Sequence, residues 1–289
     1  MLFHKFKKQI VRTSGARINL VTAGEGEPVL LLHGYPETHA MWHKVAPELA
    51  RDYTVVCPDL RGYGDSSKPK GLPDHSNYSK RAMALDMAEV MAALGHRRFH
   101  VVGHDRGGRV AHRLARDHGA RVRSLTVLDI SPTLKMYEST NLQFAKAYYH
   151  WFFLIQEAPL PEQMLAGMGP HYILKRLGRG KAGLKFFSKE AMREYVRCFE
   201  PHSTCEDYRA AATIDLVHDR RDLKKKLTMP VLALWGKQGV IEALFDCLAD
   251  WREVAADVRG RALPCGHFIP EEKPAELVAA LRAFLPRAG

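Results

Sequence analysis

The sequence predicts an α/β chain: a mostly parallel sheet flanked by helices, with one long helical insertion. Three observations predict it. Strand-like and helix-like patterns alternate up to Val127, and such alternation builds parallel β-α-β units with helices on both faces. Phe99 to Arg109 reads F-H-V-V-G-H-D-R-G-G-R, four β-type residues entering a glycine-flanked turn and then an amphipathic run from Val110 to His118. Strand patterning disappears between about Ser131 and Asp215 and returns at Met229.

Each element has a local reason. Ile10 to Thr22 alternates as one or two strands, and Pro28 to Leu32 (P-V-L-L-L) is apolar enough for a strand buried on both faces. It feeds His33-Gly34-Tyr35-Pro36, where a glycine before an aromatic and a proline predicts a tight loop with a cis Tyr35-Pro36 bond. Such a loop aims a backbone N–H into a site. His33 reads as a hydrogen-bonded structural residue. Tyr53 to Cys57 is the next strand, and Asp59 and Asp65 in the turn-rich loop Pro58 to Ser66 are expected to brace that loop. Met83, Leu85, Met87, Val90, Met91 and Leu94 recur at helical spacing over Tyr78 to Leu94, ended by Gly95.

The stretch after this helix carries the chemistry. Gly103 and Gly107 lie two positions either side of Asp105, as a strained strand-to-helix elbow requires. That apex usually holds serine, which attacks carbonyl carbon; a carboxylate there suits attack on saturated carbon bearing a leaving group, with an ester as product. Arg106 and Arg109 are spaced i, i+3 and share a face of the first helical turn, where cations oppose the helix dipole. A local rule broken beside a nucleophile suggests a fork for a substrate carboxylate; the plainer alternative is that both arginines pair with acids elsewhere in the chain.

Val122 to Leu128 is the next strand, with Asp129 at its carboxyl end. The aromatic and basic helical block then predicts a helical cap at 133–215, inserted between core segments 1–132 and 216–289. Met229 to Trp235, a helix, and Val258 to Leu263 resume the sheet; the loop P-C-G-H-F-I-P presents His267, and Pro274 to Leu285 closes the chain as a helix. The order nucleophile, acid, histidine is that of the α/β-hydrolase fold, with His267 as general base. An acid orienting that histidine often follows the strand in W-G-x-x-D, but here the segment reads Trp235-Gly236-Lys237-Gln238-Gly239. Asp129 is then the natural partner, with Asp246 a weaker second.

Composition narrows the classes. The 289 residues are 46% hydrophobic, enough for one large core. No run approaches the ~20 consecutive apolar residues of a membrane span, and the basic start M-L-F-H-K-F-K-K-Q lacks a signal-like apolar run, so a soluble cytoplasmic protein is expected. Five cysteines without C-x-x-C spacing predict free thiols and no zinc site. The net charge of +11 would suit nucleic acid, yet the basic residues are scattered through apolar helical segments without such a motif; a solvated basic face or steering of small anions accounts for them.

The chain resembles the fluoroacetate dehalogenases, within the group of α/β hydrolases that holds haloalkane dehalogenases and epoxide hydrolases. The resemblance spans nearly the whole length: H-G-Y-P-E-T at 33–38, G-H-D-R-G-G-R-V-A-H-R at 103–113, Asp129, Y-H-W-F-F at 149–153, C-E-D-Y-R-A at 205–210 and G-H-F-I-P-E-E at 266–272. It implies Asp105 as nucleophile, His267 as base and Asp129 as its partner. Arg106 and Arg109 would hold a haloacetate carboxylate, and His150, Trp151 and Tyr208 would receive the halide, each offering a donor to an ion that can only accept. The N–H groups of Tyr35 and Arg106 would form the oxyanion hole. Tyr35 stands where phenylalanine is expected and would narrow the pocket entrance or change its hydrogen bonding. A homodimer needing no cofactor or metal is implied as well. The alternative is an epoxide hydrolase using the same Asp105 and His267, with Tyr208 and either Tyr148 or Tyr149 protonating the epoxide.

Overall fold

The computed structural model describes residues 2–180 and 183–285. Among them eight strands form one sheet: β1 (Lys7–Arg12), β2 (Arg17–Ala23), β3 (Pro28–Leu32), β4 (Thr54–Pro58), β5 (Phe99–His104), β6 (Val122–Leu128), β7 (Val231–Gly236) and β8 (Val258–Leu263). Their spatial order is β1-β2-β4-β3-β5-β6-β7-β8. β1 and β2 form an antiparallel pair and β2 runs antiparallel to β4, while every later pairing is parallel. β5, the strand that enters the elbow, lies between β3 and β6 and is buried along its whole length. That position explains its sequence: with neighbours on both edges and helices over both faces, a strand has no exposed side to alternate toward.

The helix Lys80–Ala93 begins where the Ser79 side chain accepts the Ala82 N–H, and Gly95 follows it with φ +84°. Met83, Met87, Val90 and Met91 are buried as their spacing predicts, but Leu85 is 41% exposed and lies on the outer face. β4 starts one residue later than expected because the Tyr53 N–H closes the preceding turn on the Leu49 carbonyl at 3.0 Å, while its hydroxyl donates to the Leu285 carbonyl at 3.0 Å. β7 likewise starts after Pro230, whose missing N–H cannot join the ladder.

Between β6 and β7 the described residues form helices, from Thr133–Glu138 to Pro201–Ala212 and Ile214–Asp222, so the helical run passes beyond Asp215. Two of these helices carry the aromatic residues singled out in the sequence: Tyr149–Leu154 holds His150 and Trp151, and Pro201–Ala212 holds Tyr208. All five cysteines are free and buried. No described helix is long and apolar enough to cross a membrane.

Candidate active site

The elbow is built by glycines that admit backbone where a side chain would collide. A Cβ on Gly107 would stand 2.3 Å from the His33 carbonyl oxygen, and one on Gly103 would stand 2.5 Å from that of Gly107. The helix Asp105–Asp117 is thereby seated against β3 and β5, and Asp105, its first residue, takes φ +44°. A left-handed conformation at a residue with a Cβ stores strain, which the packed glycines on either side maintain.

Asp105 is buried, and its Oδ2 accepts the Tyr35 N–H at 3.2 Å. Burial alone would push its carboxyl up, but positive charge around it, from His267 once that ring protonates in acid and from Arg109, His104 and Arg106, outweighs that and holds it down to about 2. It is therefore an ionised carboxylate at neutral pH. Arg106 follows directly, and its N–H is one of the first-turn helix donors that have no acceptor within the helix.

His267 follows the loop after β8, and its Nδ1 lies 2.5 Å from Asp129 Oδ2. Asp129 sits at the end of β6 with φ +53°, and its Oδ1 accepts the Gly236 N–H at 2.9 Å. Burial disfavours charge on both partners: it raises Asp129, and together with the cations Arg179 and His104 it lowers His267 well below the ordinary histidine range. One proton is held between Oδ2 and Nδ1, so Nε2 keeps the lone pair a base needs. Asp246, the weaker candidate, is exposed and instead accepts the Ala249 N–H at 3.0 Å to cap the helix Cys247–Val254.

The two arginines divide. Arg106 is wholly buried and committed to Asp207: its Nε donates to Oδ2 at 2.8 Å and its Nη2 to Oδ1 at 2.7 Å. Asp207 also receives Lys80 and the Tyr63 hydroxyl. Only Nη1 of Arg106 has no partner among the described residues. Of the two arginines expected to form a fork, Arg106 therefore meets a buried acid that arrives from the helix Pro201–Ala212, the plainer alternative for that one residue. Arg109 meets no acid among the described residues; it donates to Thr133 Oγ1 at 2.9 Å and to the Ser131 carbonyl at 3.4 Å, and its guanidinium carbon lies 4.7 Å from the Trp151 ring centre.

His150, Trp151 and Tyr208 are all buried. Their Nδ1, Nε1 and hydroxyl find no partner among the described residues, which is costly unless something accepts from them. Arg106 stacks over the Tyr208 ring at 4.2 Å. Tyr35 is buried, with its ring 6.1 Å from His150 and 5.4 Å from Tyr208. Tyr149 is 49% exposed, whereas Tyr148 is buried 5.5 Å from both His150 and Trp151. A cavity of about 540 Å³ lined by Arg179, Gln238, His267, Phe268 and Glu272 reaches the base from outside.

Several contributors carry no role in the sequence reading. His104 Nε2 lies 2.8 Å from the His267 carbonyl and its Nδ1 3.3 Å from Glu37 Oε2, so it braces the histidine loop. Glu272 accepts the Gly266 and Phe268 N–H groups on either side of His267 at 2.8 and 3.0 Å. Asp207 and Arg176 touch Arg106 and His150. The only available signal was adjacency, His104 to Asp105 and Asp207 to Tyr208. His33 behaves as expected, with the Leu60 N–H donating to its Nε2 at 3.0 Å, and Asp59 braces its loop by accepting the N–H groups of His39 and Asp65 at 2.8 and 2.9 Å.

A carboxylate on a strained elbow, a histidine after the last strand and an acid beside it, all at the carboxyl ends of a parallel sheet, define a class; residues 27–274 match the alpha/beta hydrolase fold family, and the chain belongs to it. Within that family it is similar to the fluoroacetate dehalogenase of Burkholderia sp, at 45% identity over 99% of this chain and 96% of the relative. It is also similar to the soluble epoxide hydrolase of Corynebacterium sp. (strain C12), at 37% identity over 94% of this chain and 95% of the relative. The crystal structure of an alpha/beta hydrolase from Nostoc sp PCC 7120 superposes with a TM-score of 0.94 at 57% identity, covering 97% of this chain and 98% of that one.

Proposed function

We propose that the protein is a hydrolytic dehalogenase that converts 2-haloacetates, fluoroacetate among them, to glycolate and halide. The observation that carries this reading is the set of buried donors without acceptors, His150 Nδ1, Trp151 Nε1 and the Tyr208 hydroxyl, in a cluster that also holds the acid-free Arg109. Apart from the attacking carboxylate of Asp105, these groups are donors and cations, which suits an anionic substrate that releases a second anion. A neutral epoxide would leave Arg109 unanswered.

Arg109, with Nη1 of Arg106, anchors the substrate carboxylate. Held there, the α-carbon faces Asp105 in line with its C–X bond, an orientation worth several kcal/mol. An Asp105 oxygen forms the C–O bond as the C–X bond breaks, and the halide leaves with the electron pair toward His150, Trp151 and Tyr208. Fluoride leaves poorly, so donors that strengthen as charge develops count most for it. His267 Nε2 then takes a proton from water, and the oxygen attacks the ester carbonyl carbon of Asp105. The Tyr35 and Arg106 N–H groups carry the oxyanion. Collapse expels the glycolate oxygen, which takes the proton back from His267. Water is the only co-reactant.

On this reading residues 133–215 act as a cap over the nucleophile, and the enzyme is a cytoplasmic homodimer, which sedimentation would test. The experiment for the activity is incubation with fluoroacetate, chloroacetate and styrene oxide, followed by halide and diol assays. Halide release without diol is expected; diol from styrene oxide with no halide from either acid would establish an epoxide hydrolase instead.

A further inference from the structure

Arg176 lies in the last turn of the helix Pro170–Leu177, is only 6% exposed, and pairs with no acid among the described residues. Its Nη2 is 3.0 Å from His150 Nε2. A guanidinium nitrogen can only donate, so the imidazole nitrogen facing it must carry the lone pair. A neutral imidazole has a single N–H, which is then on Nδ1, the nitrogen without an acceptor in the halide cluster.

We propose that Arg176 is a positioning residue that fixes His150 as its Nδ1–H tautomer and so turns a donor, rather than a lone pair, toward the leaving halide. The inference rests on the halide role proposed for His150. In the opposite tautomer an N–H would meet the Arg176 N–H groups and a lone pair would meet the halide; one proton's position changes attraction into repulsion at the leaving group. The neighbouring rings oppose its turning over. It is stacked on Tyr35 and Tyr148 at interplanar angles of 15° and 27° and meets Tyr208 edge-on at 69°. Burial and the neighbouring Arg176 charge hold His150 well below the ordinary histidine range, which keeps it neutral with one proton to place. A buried arginine without an acid is unfavourable for stability, and a local rule broken beside the site points to a function at the neighbouring ring.

The test reads the tautomer directly. Two-bond proton–nitrogen spectra of the protein carrying nitrogen-15 histidine, with the His150 signals assigned by their loss in His150→Gln, are expected to show a protonated Nδ1 and an unprotonated Nε2. Arg176→Met should lose that preference, and Arg176→Lys, which keeps a donor-only head, should retain it. In kinetics Arg176→Met is expected to lower fluoride release from fluoroacetate on the order of a hundredfold, the effect of one lost oxyanion-type donor, with a smaller fall for chloroacetate and an unchanged KM; Arg176→Lys should recover much of the loss. An Nε2–H tautomer in the wild type, or a tautomer indifferent to Arg176→Met, overturns the proposal, as does an equal fall on both haloacetates. Should Arg176→Met not fold, the wild-type and Arg176→Lys spectra decide. Failure of the wild type to release any halide would instead sink the dehalogenase reading, and the spectra would still decide whether Arg176 sets the His150 tautomer.

Discussion

Gly239 faces Asp129 across the base of the site: a Cβ on Gly239 would lie 3.3 Å from Asp129 Oδ1. The two places from which an acid can serve the histidine in this fold are therefore neighbours in space, and this chain fills one and empties the other. Asp129→Asn is expected to lower turnover by roughly three to four orders of magnitude, as loss of the orienting carboxylate does in related triads, whereas Asp246→Asn should cost little. Gly239 has φ −96° and ψ 176°, a backbone conformation that any L residue adopts, and a Cβ there would need the Gly236 carbonyl, 3.1 Å away, to give by a few tenths of an ångström, so Asp129→Asn/Gly239→Asp should regain at least a tenfold part of the loss. Steady-state kcat on the three variants checks this; a crippled Asp246→Asn would refute it.

His267→Asn should separate the two half-reactions. Asp105 remains ionised and competent to displace halide, while water is no longer activated. Intact-protein mass spectrometry after addition of chloroacetate should show one added carboxymethyl group, located on the peptide containing Asp105. Halide released once per site with no adduct would mean another group performs the hydrolysis.

Trp151→Phe keeps the apolar ring under Arg109 but deletes the indole N–H. The loss expected for fluoroacetate is ~2.7–4 kcal/mol in the activation free energy, with a smaller loss for chloroacetate and KM little changed. Parallel kcat measurements check this, and equal losses would make Trp151 a packing residue.

The division between the arginines predicts opposite phenotypes. Arg109→Gln removes a cation that meets no acid among the described residues, so KM should rise for haloacetates while the fold is retained. Asp207→Asn leaves buried Arg106 and Lys80 facing a neutral amide, and breaking such a cluster costs about 3–5 kcal/mol. Urea unfolding should register the second variant strongly and the first weakly.

The pH profile follows from the same charges. His267 acts when neutral, and its proton affinity is held well below the ordinary value of 6.5 by burial first and by Arg179 and His104 next. Lowering the pH through 6.5 therefore leaves it neutral, and Asp105, held to about 2, stays ionised throughout. An unperturbed histidine would be only about one quarter neutral at pH 6; kcat here is expected to keep most of its pH 7 value at that point. An acid limb centred at 6.5 would show that the cavity solvates His267 fully.

The elements governed by local chemistry were legible along the chain. The P-V-L-L-L run, the glycines around Asp105, the proline after Tyr35 and the order Asp105, Asp129, His267 each limit the backbone or the topology, and β3, β8 and the elbow appear at the residues that carry those patterns. Which partner each polar side chain meets was legible only in three dimensions. Spacing put Arg106 and Arg109 on one face, but Asp207 approaches from the helix Pro201–Ala212 and engages one of them alone. Helical periodicity included Leu85 yet could not tell that no layer covers it. The acceptor nitrogen of His150 faces Arg176, 26 positions away. A pattern along the chain fixes the direction in which a side chain leaves the backbone; what it finds there depends on segments brought in by long-range packing, and for charges and donors that meeting decides the chemistry.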